Sequence, residues 1–360
     1  MAPIITKDEA LVSRLRADLL DWYDGHGRVL PWRAGDRDPY RVWLSEVMLQ
    51  QTTVAHAAPY YEKFLTLWPE VADLAAAEDS HVMAEWAGLG YYARARRLLD
   101  CARVVVRDHG GRFPADEAEL LRLPGFGPYT AAAVAAIAFG QPANVVDGNI
   151  ERVMTRLYAI AAPLPAARLD IRKAAAQWLA AGRAGDWPQA LMDLAATICR
   201  PKAPLCRLCP LREGCDAYRA GAPERFPVRP DRSVRPRRHG VAFLIVNGDS
   251  FIAERRPDRG LLGGMLGLPH SVWREQPWND REVDFEIDAA REKIGAYDHV
   301  FTHFALTQQV WLIRADESQF VELLRLHNSW QGVPLTREAD LPTVFRKAFR
   351  LLPGKLPRVS

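Results

Sequence analysis

The spacing of hydrophobic positions changes character once along this chain, near residue 240. From residue 8 to about residue 220 apolar residues recur every three or four positions, the period of helices that turn one face to a core, and no alternating strand pattern interrupts them. "DPYRVWLSEVMLQQT" predicts a helix with Asp38 as N-cap and Pro39 in its first turn. "YYARARRLLDCARVVVRDHGG" predicts a basic amphipathic helix stopped at Gly110 and Gly111, and further helices are expected in "AARLDIRKAAAQWLAAG" and "DWPQALMDLAATIC". Beyond residue 240 the period becomes that of strands. "VAFLIVNGDSFIAERR" carries two β-branched or aromatic runs around Asn247-Gly248, a hairpin signal, and "HVFTHFALTQQVWLIRA" predicts a second strand pair, with a helix-like "DREVDFEIDAAREKIG" between them. The stretch "APERFPVRPDRSVRPRRHG" joins the two textures; it is rich in Pro and Arg, lacks apolar periodicity and predicts an extended linker. The expected architecture is multidomain: an all-α domain over 1–221, a linker over 222–237 and an α+β domain over 238–360.

Composition bounds the function classes. With 360 residues, 49% of them hydrophobic, the chain can bury more than one core, and large-scale disorder is excluded. "MAPIITKDEA" has neither the charged nor the apolar segment of a secretory signal, and the near-apolar run "TAAAVAAIAFG" is too short to cross a bilayer, so a cytoplasmic, nucleoid-associated protein without membrane contact is expected. The net charge is only +3, yet residues 200–238 hold eleven Lys or Arg against four Asp or Glu. Such a block suits a polyanion such as nucleic acid, the plainer alternative being a solvated basic linker.

Two motifs carry chemistry. The stretch "CRPKAPLCRLCPLREGC" places Cys199, Cys206, Cys209 and Cys215 within seventeen residues, with gaps of six, two and five. Spacing alone leaves a [4Fe–4S] cluster and tetrahedral zinc open, although zinc sites usually present two tight pairs and here only Cys206 and Cys209 form one. Disulfides would be spread over separate loops. The basic residues Arg200 and Lys202 sit on the first loop, held at both ends by thiols, and suit phosphate contacts. The second motif, "LPGFGPYTA" between two helical stretches, reads as a helix-hairpin-helix in which Gly125 and Gly127 permit unusual backbone conformations and the next helix N-terminus offers N–H groups to DNA phosphates.

The hairpin, the following "VVDGNIERV" and the cysteine loop together resemble the DNA glycosylase superfamily that includes endonuclease III. "LPWR", "SEVMLQQT", "WAGLGYYARARRL", "ALMDLAATICRPKAPLC" and "FTHF" are similar to the adenine DNA glycosylase branch. The resemblance implies a six-helix barrel over about 31–136, a cluster subdomain from 1–30 and 137–221 holding a [4Fe–4S] cluster, and a Nudix-like C-terminal domain. It also implies hydrolysis of the glycosidic bond of adenine mispaired with 8-oxoguanine or guanine in double-stranded DNA, by a monomer. Bifunctional relatives carry a lysine two residues after the hairpin's second glycine, able to form a Schiff base; Tyr129 stands there, so a monofunctional enzyme is expected.

Cleaving such a bond requires protonating a poor leaving group and steadying a sugar cation, work for two carboxyls of opposite protonation. Glu46, flanked by Val42, Trp43, Leu44, Val47, Met48 and Leu49, has the apolar setting of a protonated acid, and by resemblance donates to adenine N7. By the same resemblance Asp147 faces C1′, while Tyr129 and Asn149 flank the sugar and hydrogen-bond the aspartate or the water. Gln51 and Tyr91 match residues that enter the base stack when adenine is flipped out. Leu30, Trp32, Arg33 and Gln189 match the pocket for the extruded base. Phe301, Thr302 and His303 match a loop that recognises 8-oxoguanine, with threonine where serine is common. The Nudix catalytic pattern laid from Gly267 puts Trp273 and Phe285 at two glutamate positions and Asp288 at a glycine, so a binding rather than a hydrolytic second domain is expected. Two competing readings are a thymine or oxidised-pyrimidine glycosylase and a silent iron–sulfur DNA-binding or redox module; Tyr129 and "FTHF" oppose the first, Glu46 and Asp147 the second.

Overall fold

The computed structural model describes residues 6–35, 37–230, 235–257, 260–285, 289–301 and 303–353. The chain divides into two compact units, Met1–Asp231 and Arg232–Ser360. The first is built from α1 (Glu9–His26), α2 (Pro39–Leu49), α3 (Val54–Leu67), α4 (Val71–Ala76), α5 (Asp79–Glu85), α6 (Tyr92–His109), α7 (Glu117–Leu120), α8 (Pro128–Phe139), α9 (Gly148–Leu157), α10 (Arg168–Ala176), α11 (Asp186–Thr197) and α12 (Asp216–Arg219). Local chemistry sets the ends of these helices. Asp38 caps α2 by accepting from Arg41 N at 2.9 Å, with Pro39 behind it, and Gly110 ends α6 in a left-handed conformation. Helix α8 is apolar all round, with Thr130 to Ile137 buried, and therefore runs through the middle of the unit. Its alanines let α2 and α11 approach closely, and this places Glu46 beside Tyr129.

Residues read from sequence as the start of the linker are tied to this first unit. Phe226 O accepts from Arg156 Nε at 3.2 Å, and Val228 O accepts from Leu164 N at 2.9 Å.

The second unit contains β1 (Arg237–Asn247), β2 (Ser250–Arg255), β3 (Leu266–Gly267), β4 (Arg291–Val300), β5 (Ala305–Arg314), α13 (Glu317–Leu326), β6 (Trp330–Pro334) and α14 (Thr343–Phe349). Its mixed sheet has the order β3-β2-β1-β5-β4, with β6 also on β2; β1 and β5 run parallel, the other pairs antiparallel. Strand β1 is covered on both faces. Ala242, Leu244 and Val246 pack with Phe345 of α14, whereas Val241, Phe243 and Ile245 pack with Phe320 and Leu323 of α13. Double burial explains why "VAFLIV" reads as one apolar run instead of an alternation.

Two expectations need correction here. The hairpin turns on Gly248 and Asp249, since Asn247 itself pairs with Ser250. "DREVDFEIDAAREKIG" holds no α-helix among its described residues: a short turn at Asp280–Glu282 is followed by strand β4 from Arg291. Pairing along β5 and burial of Phe285 against Phe243, ring centroids 4.7 Å apart, outweigh the helix-like spacing of its charges. The two aromatic replacements in the Nudix pattern are packing residues. Phe285 lies in that cluster, and Trp273 sits against His270, Phe301 and Phe304. Asp288 lies outside the described residues.

Candidate active site

Helices α2, α8, α9 and α11 and the segment before α2 line one cavity of about 1040 Å³. Leu30, Trp32, Arg33, Glu46, Gln51, Gly125, Gly127, Tyr129, Asp147, Asn149 and Gln189, eleven of the residues singled out in the sequence, all reach its wall. They come from five separate stretches of the chain, so only folding unites them.

Glu46 is buried, 7% exposed, and receives a hydrogen bond from Tyr129 Oη at 2.7 Å. Removal from water is the main influence on its carboxyl and raises it to about 7, despite the Tyr129 bond, which favours the charged form; the negative charge of Asp147 adds to the rise and Arg33 opposes it. The same burial, beside two carboxyls, holds the Tyr129 phenol well above its ordinary range, so it stays a donor. Asp147 is the N-cap of α9: Oδ1 accepts from Asn149 N at 3.0 Å and Ile150 N at 2.7 Å, and Oδ2 accepts from Asn149 Nδ2 at 2.9 Å. Capping and cavity lining thus coexist in one side chain. Tyr129 bonds the acid, not Asp147; Asn149 bonds Asp147.

Behind the cavity wall lies a polar network that the sequence did not flag. Asp193, fully buried, accepts from Arg28 Nε (2.7 Å), Arg33 Nη1 (2.7 Å) and Arg33 Nη2 (3.0 Å), together with Arg28 N (2.8 Å), and these bonds hold its carboxyl low despite burial. The available signal was its place one turn after Gln189 on α11. Gln189 donates one Nε2 hydrogen to Gly185 O at 2.9 Å, which leaves its second N–H and Oε1 as a donor and acceptor pair for a base.

The hairpin is present between α7 and α8. Gly125 has φ +78°, and a Cβ there would stand 3.0 Å from Arg97 Cβ. Gly127 is extended, with nothing within 4 Å of a built Cβ, so the conformational reason for a glycine applies to Gly125 alone. No side chain caps α8, leaving its first turn to meet another acceptor.

Tyr91 is 60% exposed and left-handed at φ +50°; Gln51 is exposed and left-handed at φ +60°. In the second unit, Phe301 N donates to Phe304 O at 2.9 Å across the four-residue connection between β4 and β5, and His303 is exposed. Thr302 lies outside the described residues.

Cys199, Cys206, Cys209 and Cys215 are free thiols around a small cavity shared with Arg156, Ile198, Arg212, Tyr218 and Pro223. Among the described residues no three Cys, His, Asp or Glu side chains converge as a single metal ion requires. The four thiols line one small cavity, and their chemistry suits an iron–sulfur cluster. Arg156, 2% exposed, donates to Cys199 Sγ at 3.3 Å and otherwise to the carbonyls of Cys199, Arg200, Pro201 and Phe226. A buried cation with only neutral oxygens and a thiol beside it fits an anionic thiolate cluster. Arg152, one turn earlier on α9, donates to Cys199 O at 2.9 Å and to Asn149 Oδ1 at 3.2 Å, so the helix capped by Asp147 also abuts the cysteine loop. Lys202 is exposed; Arg200 is half-buried and donates to Ala203 O at 2.8 Å.

Residues 44–179 match the model of the HhH-GPD superfamily base excision DNA repair protein, and residues 241–351 match the NUDIX domain. The chain is 34% identical to the adenine DNA glycosylase of Homo sapiens over 98% of this chain and 76% of that one, and 36% identical to that of Mus musculus over 86% and 72%. Among solved structures, a thermostable thymine-DNA glycosylase superposes with a TM-score of 0.54 at 32% identity, covering 59% of this chain and 98% of its own. No helix among the described residues is long and apolar enough to cross a membrane.

Proposed function

Because this chain belongs to the adenine DNA glycosylase family, DNA-binding enzymes that hydrolytically release adenine, we propose that its substrate is adenine opposite 8-oxoguanine or guanine in duplex DNA. It acts as a monomer and a monofunctional glycosylase, leaving an abasic site. The observation that carries this reading is the contrast between two carboxyls on one cavity: Glu46 beneath Tyr129, raised to about 7, and Asp147 held by three N–H donors.

With adenine extruded into the cavity, Glu46 donates its proton to the base at N7. Tyr129 occupies Oε2 as a donor, which leaves Oε1 to carry the mobile proton. As the glycosidic bond stretches, positive charge grows at C1′ and on the ring oxygen, and the Asp147 carboxylate stabilises it from across the sugar. Asn149 fixes that carboxylate and can orient the water that completes hydrolysis. No amine stands where a Schiff base would form, Tyr129 having only a phenol to offer. Gln51 and Tyr91 fill the space left in the stack, Leu30, Trp32, Arg33 and Gln189 contact the base, and Gly125, Gly127, Arg200 and Lys202 contact phosphates. In the second unit Phe301, Thr302 and His303 read the oxidised base, whose N7–H and O8 distinguish it from guanine. The four cysteines hold a [4Fe–4S] cluster, which when bound supplies four iron–thiolate bonds that pin the 199–215 loop.

Single-turnover cleavage of duplexes carrying A opposite 8-oxoG, A opposite G and T opposite G tests the reading. Release is expected from the first, more slowly from the second, and absent from the third; preference for thymine, or equal rates on the two adenine duplexes, overturns it. Borohydride should trap no covalent adduct, and a strong one would assign the chain to the bifunctional branch.

A further inference from the structure

One guanidinium joins the two loops that carry Gln51 and Tyr91. Arg94, in the first turn of α6, donates Nη1 to the carbonyls of Val47 at 2.9 Å, Met48 at 3.3 Å and Gln50, and Nη2 to Thr52 Oγ1 at 3.3 Å. These groups are carbonyls at the end of α2 and in the loop that follows, together with one loop hydroxyl; their local bonds are long, Gln50 N to Val47 O at 3.3 Å and Thr52 Oγ1 to Gln50 O at 3.4 Å. From the same Nη2 a bond at 3.3 Å reaches Leu89 O on the other loop, and the guanidinium carbon lies 5.4 Å from the Trp86 ring centroid and 5.3 Å from that of Tyr91. Gln51 and Tyr91 both hold left-handed backbones that β-carbon residues rarely adopt, and such conformations persist only where the surroundings impose them. The Tyr91 loop has further ties: Tyr60 Oη donates to Ala87 O at 2.9 Å and Trp86 Nε1 donates to Gly90 O at 2.9 Å. Arg94 alone among these bonds both loops.

We propose that Arg94 is a positioning residue that welds the Gln51 and Tyr91 loops into one rigid two-pronged wedge. This rests on the reading above that both side chains enter the base stack. A planar fork with donors on two nitrogens can bond both loops at once, which a lysine ammonium at the same stem can do only in part. Rigid prongs enter the duplex without first being ordered, so Arg94 acts on extrusion of adenine and not on proton transfer.

The test uses the full chain carrying Glu46→Gln, with 2-aminopurine at the target position opposite 8-oxoG as a fluorescent report of unstacking. Arg94→Gln should lower the unstacked-to-stacked ratio in the complex at least tenfold, and Arg94→Lys should recover part of it at an unchanged melting temperature. Because the wedge acts as a unit, adding Arg94→Gln to Gln51→Ala/Tyr91→Ala should change the ratio by less than twofold. Full unstacking by Arg94→Gln, or a loss that multiplies in full with that of the double variant, overturns the proposal. If Gln51→Ala/Tyr91→Ala unstacks adenine as the parent does, the wedge reading itself fails, a result separate from the other two.

Discussion

At the residue scale, Glu46 shows how burial makes an acid and what that costs the fold. A carboxyl that ordinarily ionises near 4.5 and is raised to about 7 should leave single-turnover cleavage flat below pH 7 and falling above it, as the proton needed by the base is lost. The folded state binds one more proton than the unfolded chain between those two values. The stability associated with this carboxyl is therefore complete below about 4.5 and lost as pH climbs through about 7. Glu46→Gln removes the titration while keeping an acceptor for Tyr129. It should abolish cleavage, retain duplex binding, and stabilise the protein at pH 8 by about 3 kcal/mol relative to the parent, from the size of the shift; denaturant unfolding at pH 8 and pH 4 should show the gain at the first and none at the second.

At the scale of elements, the hairpin between α7 and α8 separates two glycines that look equivalent in "LPGFGPYTA". Gly125→Ala places a methyl in a left-handed backbone against Arg97 and should cost about 1–2 kcal/mol and weaken DNA binding. Gly127→Ala meets neither strain nor a neighbour. Its effect on stability should stay within about 0.5 kcal/mol, the range of an uncrowded site. Thermal melting and a duplex-binding titration of the pair check this; equal losses would mean that the hairpin's conformation is not what the first glycine serves. Helix α9 joins two functions in another way, with Asp147 at its start and Arg152 and Arg156 turned to the cysteine loop on successive turns.

At the scale of the whole molecule, the basic stretch and the cysteine loop predict a coloured, salt-sensitive DNA-binding protein. Protein purified without chelators should be yellow-brown, and Cys199→Ser should bleach it and lower its melting temperature; a colourless, fully folded parent would remove the cluster from the account. Duplex affinity should fall linearly on a log–log plot against salt. Lys202→Ala, which removes an exposed charge, should reduce that slope by about 0.9. In the second unit Trp273 and Phe285 have rings where a magnesium site would need carboxylates, so 8-oxo-dGTP with magnesium should not be turned over.

Much of this protein is legible in the sequence, because its signals are local. A cap needs only Asp38 and Pro39, and a buried strand only an unbroken apolar run. Tertiary structure decided what depends on partners distant in the chain. It settled that Tyr129 bonds Glu46, that Asp193 gathers Arg28 and Arg33, that Gly127 needs no special backbone, and that residues 291–300 form a strand although their charges are spaced as on a helix. The reason is common to all four: the burial, charge and hydrogen-bond partners of a side chain are supplied by segments tens to hundreds of residues away, and periodicity along one segment carries no record of them.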